Sequence, residues 1–147
     1  MKIGVLSVQG AFAEHASLLE SIGVEAVGVR LPEHLEDLAG LILPGGESTT
    51  MSKLLDTSGL FDPLHKRIAA GMPVFGTCAG MIVLAERVAG GDPLFAVMDI
   101  GVERNAYGRQ VESFEADVVV DGIEHPVRGV FIRAPRITDV GEGVQVL

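Results

Sequence analysis

Short apolar runs that alternate with helical segments are the feature that most restricts the fold of this chain. Strands are predicted at residues 2–8, 24–30, 41–43 and 73–75. Helices are predicted at residues 11–22, 32–38, 61–70 and 79–88, with glycine turns in between. Strands that are covered on both faces read as continuous apolar runs, which is typical of parallel sheets. The alternation therefore predicts an α/β fold, a three-layer open and mostly parallel sheet with right-handed crossovers.

The core is expected to be aliphatic, because 48% of the residues are hydrophobic while only 5% are aromatic and none is Trp. In the first helix, Leu18, Leu19 and Ile22 are expected to face this core. After residue 89 the pattern becomes β-rich, with a tight turn expected at Asp121-Gly122. Since the sequence contains no repeat, low-complexity segment or linker, we expect a single domain, residues 1–147.

The net charge limits the kinds of partner that this protein can bind, and the cysteine count bears on the cellular compartment. A formal net charge of −9 weighs against binding nucleic acid or an anionic membrane surface. One cysteine cannot form an internal disulfide, and the apolar stretch at residues 3–8 is too short for a signal peptide. No run approaches the roughly 18 apolar residues of a membrane span. We expect a cytoplasmic protein with neither a nucleic-acid nor a membrane partner.

The only cysteine, Cys78, lies in the stretch GTCAG between a predicted strand and a predicted helix. The form G-x-C-x-G is the thiol counterpart of the nucleophile elbow G-x-S-x-G, whose small residues allow a sharp turn. A helix N-terminus favours the thiolate, which is the reactive form of cysteine. The N–H of Ala79 could supply half of an oxyanion hole. Taken alone, the pentapeptide fits a buried structural cysteine equally well.

A second glycine turn, in LPGGESTT, follows the third predicted strand. Its two glycines let the backbone approach a ligand closely, and Ser48 or Thr49 can cap the next helix. A phosphate-binding loop would need G-K-[ST], but Lys53 comes too late after the glycines. A plain strand-to-helix turn with a cap is the simplest interpretation of this stretch alone.

The two turns together indicate a catalytic site. Ligands of open α/β sheets bind beyond the carboxyl ends of the strands, and both turns fall at such ends. We therefore expect the N–H of Gly46 to face Cys78 and to complete the oxyanion hole with that of Ala79.

Five stretches of the sequence point to a family. In chain order they are GVLSVQGAFAEH, LILPGGESTTM, FGTCAGM, VERNAYGRQVESFEA and GVFIRAP. They closely resemble the glutaminase subunits of pyridoxal 5′-phosphate synthases, which are class I, triad-type glutamine amidotransferases. G-x-C-x-G alone indicates only a cysteine hydrolase of this broad fold, whereas the PGGESTTM, RNAYGRQ and FIRAP stretches are specific to the subfamily. The resemblance implies a flavodoxin-like sheet.

The resemblance also implies a reaction and a set of site residues. Cys78 attacks the side-chain amide of L-glutamine, releases ammonia and leaves a glutamyl thioester, which water converts to glutamate. No metal and no cofactor are implied. Substrate binding is assigned to Gly46, Glu47, Ser48, Arg104, Ile132 and Arg133. Arginine and backbone groups suit the charged ends of glutamine, although the two arginines could also be surface ion-pair residues and Ile132 a core residue.

In this family the ammonia passes to a (β/α)₈-barrel synthase subunit. That partner builds pyridoxal phosphate from a pentose phosphate and a triose phosphate, and its docking activates the weakly active glutaminase. Neither sugar phosphate is expected to bind this chain, because its sequence offers no phosphate loop.

The sequence departs from the family in its triad, whose His and Glu come from a late [ST]-x-H-P-E segment. Residues 1–147 contain no such segment. His34-Leu35-Glu36 lacks the central proline, His125-Pro126-Val127 lacks the Glu, and His15 and His65 are interpreted as ordinary helix residues. A base is needed to hold the thiolate and to protonate the leaving ammonia. We therefore expect this chain by itself to be a poor or inactive glutaminase.

The end of the sequence, VQVL, reads as a strand that has just begun, which suggests a truncated domain. The uncovered sheet edge and apolar face would then reduce stability or promote self-association.

Three functions remain in competition. The first is the amidotransferase glutaminase. The second is a catalytically silent docking module of the same fold, which the missing His and Glu favour. The third is another cysteine hydrolase, of a peptidase-like or glyoxalase-like kind, against which RNAYGRQ and FIRAP argue.

Overall fold

A parallel four-stranded sheet forms the first part of the molecule in the computed structural model, which describes residues 1–108 and 113–147. Its strands are β1 (Lys2–Leu6), β2 (Glu25–Val29), β3 (Gly40–Leu43) and β4 (Val74–Gly76). They lie in the order β2-β1-β3-β4, and every neighbouring pair is parallel. This order is that of the first four strands of a flavodoxin-like sheet. The predicted parallel α/β fold is confirmed.

Helices connect these strands. They are α1 (Phe12–Ser21), a short 3₁₀ helix (Pro32–Leu35), α2 (Ser48–Thr57), α3 (Phe61–Ala69) and α4 (Ala79–Leu84). The main core is almost wholly aliphatic, as predicted, and includes Leu6, Val29, Leu43, Met51, Leu55, Leu64, Val83 and one aromatic residue, Phe95. No helix within the described ranges is both long enough and apolar enough to cross a bilayer.

The β-rich second part forms two small sheets. Strands β5 (Ala85–Ala89) and β6 (Met98–Glu103) pair in parallel, and β9 (Arg136–Val140) joins β6 antiparallel. Strands β7 (Phe114–Val118) and β8 (Val127–Phe131) form a separate antiparallel pair. The expected turn at Asp121-Gly122 is present, with Gly122 at φ 83° and a hydrogen bond of 3.0 Å from the Ile123 N–H to the Val120 carbonyl.

The inner face of α1 differs from the prediction. Leu18 and Ile22 are 63% and 67% exposed, so their expected place in the core is wrong. The half-buried residues of the helix are Phe12, His15, Ala16 and Leu19. Their spacing of three, four and seven residues defines one helical face. Of the three residues expected to face the core, only Leu19 lies on this face, which also includes a histidine.

Two segments near the middle and the end of the chain were also predicted wrongly. The helix expected at residues 79–88 ends at Leu84, because the next five residues pair with β6 as strand β5. Tertiary pairing here overrides the helical pattern. The strand expected in VQVL does not form, since the chain turns at Gly143, where φ is 88°, and residues 144–147 are irregular.

The packing of α4 on β3 yields a stability prediction. A Cβ built on Gly80 would overlap the carbonyl oxygen of Leu43, which belongs to a strand and cannot move aside. We expect Gly80→Ala to lower the free energy of unfolding by about 1–3 kcal/mol, the usual cost of overpacking. The midpoint and slope of urea unfolding measure this effect.

Gly91→Ala is the matched control, because its new methyl group would meet nothing closer than 3.6 Å, at Val88 Cγ1. Equal unfolding midpoints for the two variants would contradict the close approach of α4 to β3.

Candidate active site

The turn that carries Cys78 joins β4 directly to α4. Cys78 has φ 51° and ψ −108°, values that a residue with a side chain adopts only under strain. Its thiol is exposed rather than packed in the core. Backbone hydrogen bonds hold the residue before it, from the Thr77 N–H to the Leu43 carbonyl (3.0 Å) and from the Gly80 N–H to the Thr77 carbonyl (2.8 Å). The geometry matches a nucleophile elbow rather than a buried structural cysteine.

The flanking glycines are required by close packing, as the sequence predicts. A Cβ on Gly76 would lie 2.7 Å from backbone atoms of Gly80, and Gly80 itself packs against β3. Side chains at these two positions would push α4 away from the sheet. The N–H of Ala79, at the first position of α4, has no acceptor within the helix.

The second glycine turn lies against the cysteine turn. A Cβ built on Gly45 would lie 3.3 Å from the Cβ of Cys78. Next to it, Gly46 packs so closely on the Gln9 side chain that a Cβ there would overlap the amide group. The Gln9 amide oxygen accepts a hydrogen bond of 3.2 Å from the Glu47 N–H. Gln9 thus shapes this turn, a role that its place in the β1–α1 loop did not reveal.

A cavity of about 370 Å³ opens between the two turns and the loops after β6 and β8. Seven of the eight predicted site residues line this cavity: Gly46, Glu47, Ser48, Cys78, Arg104, Ile132 and Arg133. Ala79 is buried behind Cys78. Ile82 and Asn105 also line the cavity and were not predicted. The only sequence signals that could have indicated them are their positions. Ile82 follows Cys78 by four residues on a helix, and Asn105 comes directly after Arg104.

Glu47 organises the charged side of the cavity. It is the N-cap of α2, so the predicted capping by Ser48 or Thr49 is wrong. Its carboxylate accepts hydrogen bonds from the N–H of Thr49 (3.1 Å), the N–H of Thr50 (2.7 Å) and the Thr50 hydroxyl (2.8 Å). The Arg104 guanidinium forms an ion pair of 3.1 Å with the same carboxylate.

The pKa of Glu47 reflects this environment. Desolvation raises its pKa, but the hydrogen bonds from Thr49 and Thr50 outweigh desolvation and lower the pKa from 4.5 to about 2. The carboxylate is therefore anionic at any physiological pH, and its charge faces the cavity together with that of Arg104.

The loops that carry Arg104 and Arg133 are tied together. The Ala106 N–H donates a hydrogen bond of 3.2 Å to the Ala134 carbonyl. Beside it, the rings of Tyr107, Phe114 and Phe131 pack with centroids 4.7–6.0 Å apart. This aromatic cluster fixes the base of the β7–β8 hairpin next to the cavity. Residues 109–112 of the stretch VERNAYGRQVESFEA, which include the last two residues of RNAYGRQ, lie outside the described residues.

Of the four histidines, His15 lies next to the nucleophile turn, with its Nε2 3.1 Å from the Thr77 hydroxyl oxygen. Interpreting it as an ordinary helix residue missed this contact. His34 accepts a hydrogen bond from the Arg30 N–H, and His65 packs beside the stacked rings of Phe61 and Phe95. Within the described part of the chain, no three His, Cys, Asp or Glu side chains are arranged to hold a metal ion.

A flavodoxin-like parallel sheet with an exposed cysteine at the β4–α4 elbow, facing a second glycine turn, defines a class I glutamine amidotransferase fold. The chain belongs to the SNO glutamine amidotransferase family, whose profile matches residues 5–147. A crystal structure of a glutamine amidotransferase superposes with a TM-score of 0.91 at 51% identity, covering 99% of this chain and 78% of that one.

Two similar relatives carry the same name. Pyridoxal 5′-phosphate synthase subunit PdxT of Pelotomaculum thermopropionicum is 59% identical over 149 residues. The subunit of the same name from Geobacillus kaustophilus is 57% identical over 148 residues. Each comparison covers 100% of this chain and 76% of the relative.

The lowered pKa of Glu47 predicts how acid affects stability. Its contribution is complete above the unfolded-state pKa of 4.5 and is lost as the pH falls towards about 2. Glu47→Gln should destabilise the fold by up to about 1 kcal/mol at neutral pH, as loss of a helix cap does. The difference in free energy of unfolding between wild type and variant should shrink between pH 4.5 and 2, as measured by urea unfolding at each pH.

Thr50→Val and Thr50→Ser form a matched pair for this measurement. The valine variant loses the hydroxyl that donates to Glu47 and should weaken the acid dependence, whereas the serine variant keeps it. A wild-type-to-Gln difference that stays constant across this pH range would show that the Glu47 carboxylate has an ordinary pKa.

Proposed function

We propose that this chain is the glutaminase subunit of a pyridoxal 5′-phosphate synthase, with residues 1–147 forming a single amidotransferase domain. The observation that carries the proposal is the position of Cys78, strained and exposed, on the wall of a cavity that also exposes Glu47, Arg104 and Arg133. Those charges suit a substrate with a carboxylate and an ammonium at one end and an amide at the other.

In the proposed reaction the thiolate of Cys78 attacks the side-chain carboxamide carbon of L-glutamine. The C=O electron pair moves to oxygen, and the N–H groups of Gly46 and Ala79 are proposed to stabilise the oxyanion. Collapse of the tetrahedral intermediate breaks the C–N bond, and the leaving nitrogen takes a proton from solvent water and departs as ammonia. Water then hydrolyses the thioester to glutamate and restores the thiol.

The charged rim of the cavity is proposed to hold the amino-acid end of glutamine. Arg104 and Arg133 are the proposed partners of its α-carboxylate. Glu47 stays ionised because of its low pKa and suits the α-ammonium. Ser48 and Ile132 complete the proposed binding surface, and both line the same cavity.

The proposed destination of the ammonia is a (β/α)₈-barrel synthase subunit. Ammonia is a neutral nucleophile that water protonates readily, so direct channelling between the subunits suits the chemistry. The synthase reaction that consumes it is proposed to be of the lyase type. A cytoplasmic location stays a prediction, as does low glutaminase activity of residues 1–147 alone.

A glutamine-derived diazoketone tests the proposal without requiring turnover. Its ketone carbon takes the place of the amide carbon, and the diazo carbon next to it takes up a proton, loses N₂ and alkylates the thiol. We expect it to modify Cys78 in a saturable manner, with competition by L-glutamine, as measured by the mass of the intact protein over time. Arg104→Gln should raise the half-saturating concentration while leaving the maximal rate nearly unchanged. Cys78→Ala should abolish labelling.

Glutamate release in the presence of a barrel synthase subunit completes this test. Saturable labelling together with glutamate release supports the glutaminase, and saturable labelling without release under any condition supports the silent docking module. Labelling that neither saturates nor responds to glutamine would contradict a glutamine site at Cys78.

A further inference from the structure

Helix α1 brings an unexpected side chain to the nucleophile turn. His15 lies on the half-buried face of α1, where its Nε2 is 3.1 Å from the hydroxyl oxygen of Thr77. The two residues are 62 positions apart in the sequence, so this is a tertiary contact rather than a local one. Thr77 immediately precedes Cys78, and the proposed reaction above gives His15 no role.

The contact supplements the restraints on a strained segment. Thr77 is held through its N–H by Leu43 and through its carbonyl by Gly80, and both of these are backbone interactions. His15 adds a side-chain restraint to the same residue. A backbone conformation such as φ 51° at Cys78 persists only where the surroundings over-determine it.

The same helix is also fixed against the opposite turn. The Ala11 N–H donates a hydrogen bond of 3.1 Å to the carbonyl of Gly45, and a Cβ on Gly10 would overlap that carbonyl oxygen. His15 follows Ala11 by about one helical turn. Helix α1 therefore contacts the proposed oxyanion turn at its start and the nucleophile turn one turn later.

We propose that His15 is a positioning residue, which acts through the Thr77 hydroxyl to hold the Cys78 thiol in line with the Gly45–Gly46 turn. A threonine hydroxyl can donate to or accept from an imidazole nitrogen, so the pair can bond in either histidine tautomer. The inference rests on the proposed function, because the alignment matters only for attack on a substrate in the adjacent cavity.

Four variants test the pair. His15→Leu and Thr77→Val each remove one partner, while His15→Gln and Thr77→Ser keep a group that can form the hydrogen bond. We expect the first two to lower the maximal rate of Cys78 modification by the glutamine diazoketone about three- to tenfold, the usual effect of losing one hydrogen bond. The half-saturating concentration should not change. The Gln and Ser variants should stay within about twofold of wild type.

The double variant His15→Leu/Thr77→Val shows whether the two single substitutions act through one shared hydrogen bond or affect the rate independently. We expect it to be no slower than the slower single variant, since both changes remove the same hydrogen bond. His34→Leu, which removes the histidine of the 3₁₀ helix, is the control and should keep the wild-type rate. A double variant whose loss equals the product of the two single losses, or a His15→Leu variant at the wild-type maximal rate, would overturn the proposal.

A second readout does not depend on glutamine. Because Cys78 is the only cysteine, selective ¹³C labelling reports its Cα and Cβ chemical shifts, which depend on φ and ψ. These shifts should move in His15→Leu and Thr77→Val and stay in place in His15→Gln and Thr77→Ser. Unchanged shifts in all four variants would contradict the positioning role. If the wild-type protein itself shows no saturable labelling, that result counts against the proposed function and not against the positioning role.

Discussion

The close approach of two glycine turns is the constraint on which the rest of the site depends. Strand β3 leads into one turn and strand β4 into the other, and these strands are neighbours in the sheet. Gly80 rests on the carbonyl of Leu43, with no room for a side chain, and a Cβ on Gly45 would come within 3.3 Å of the Cβ of Cys78. Because α4 is held this close to the sheet, the cysteine between β4 and α4 must adopt a strained conformation that directs its thiol outwards. The strain and the exposure of Cys78 therefore have a common cause.

The charged side chains of the site lie around the two turns rather than in them, apart from Glu47, which directly follows the second glycine turn. The Glu47 carboxylate is held by the first N–H groups of α2, and in turn it holds Arg104, which comes from the loop after β6. The aromatic cluster of Tyr107, Phe114 and Phe131 fixes the base of the β7–β8 hairpin, next to which Arg133 lies. The second part of the molecule thus brings Arg104 and Arg133 to the cavity that Cys78 lines.

The sequence predicts well those features that local chemistry decides. Glycines at fixed positions around Cys78 specify the elbow, and apolar runs specify the parallel strands, so both were confirmed. It predicts less well what depends on tertiary neighbours. The direction of the α1 face is set by contacts with Thr77 and the sheet, and the early end of α4 is set by pairing of β5 with β6. The carboxylate of Glu47, rather than the hydroxyl of Ser48 or Thr49, caps α2, and the local residue types alone do not reveal this. For the same reason Ile82 and Asn105 were missed, since only the folded chain brings them to the cavity. Gln9 was missed because only the folded chain packs its side chain against the Gly46 turn.

A crystal structure of the protein with Cys78 alkylated by the glutamine-derived diazoketone would test the central claim most directly. The account predicts that the ketone oxygen of the adduct lies about 2.7–3.1 Å from the backbone nitrogens of Gly46 and Ala79, as oxyanion donors require. Its amino-acid end should lie between Glu47, Arg104 and Arg133. A ketone oxygen that points to solvent, with the two turns separated and the amino-acid end outside the cavity, would contradict the account.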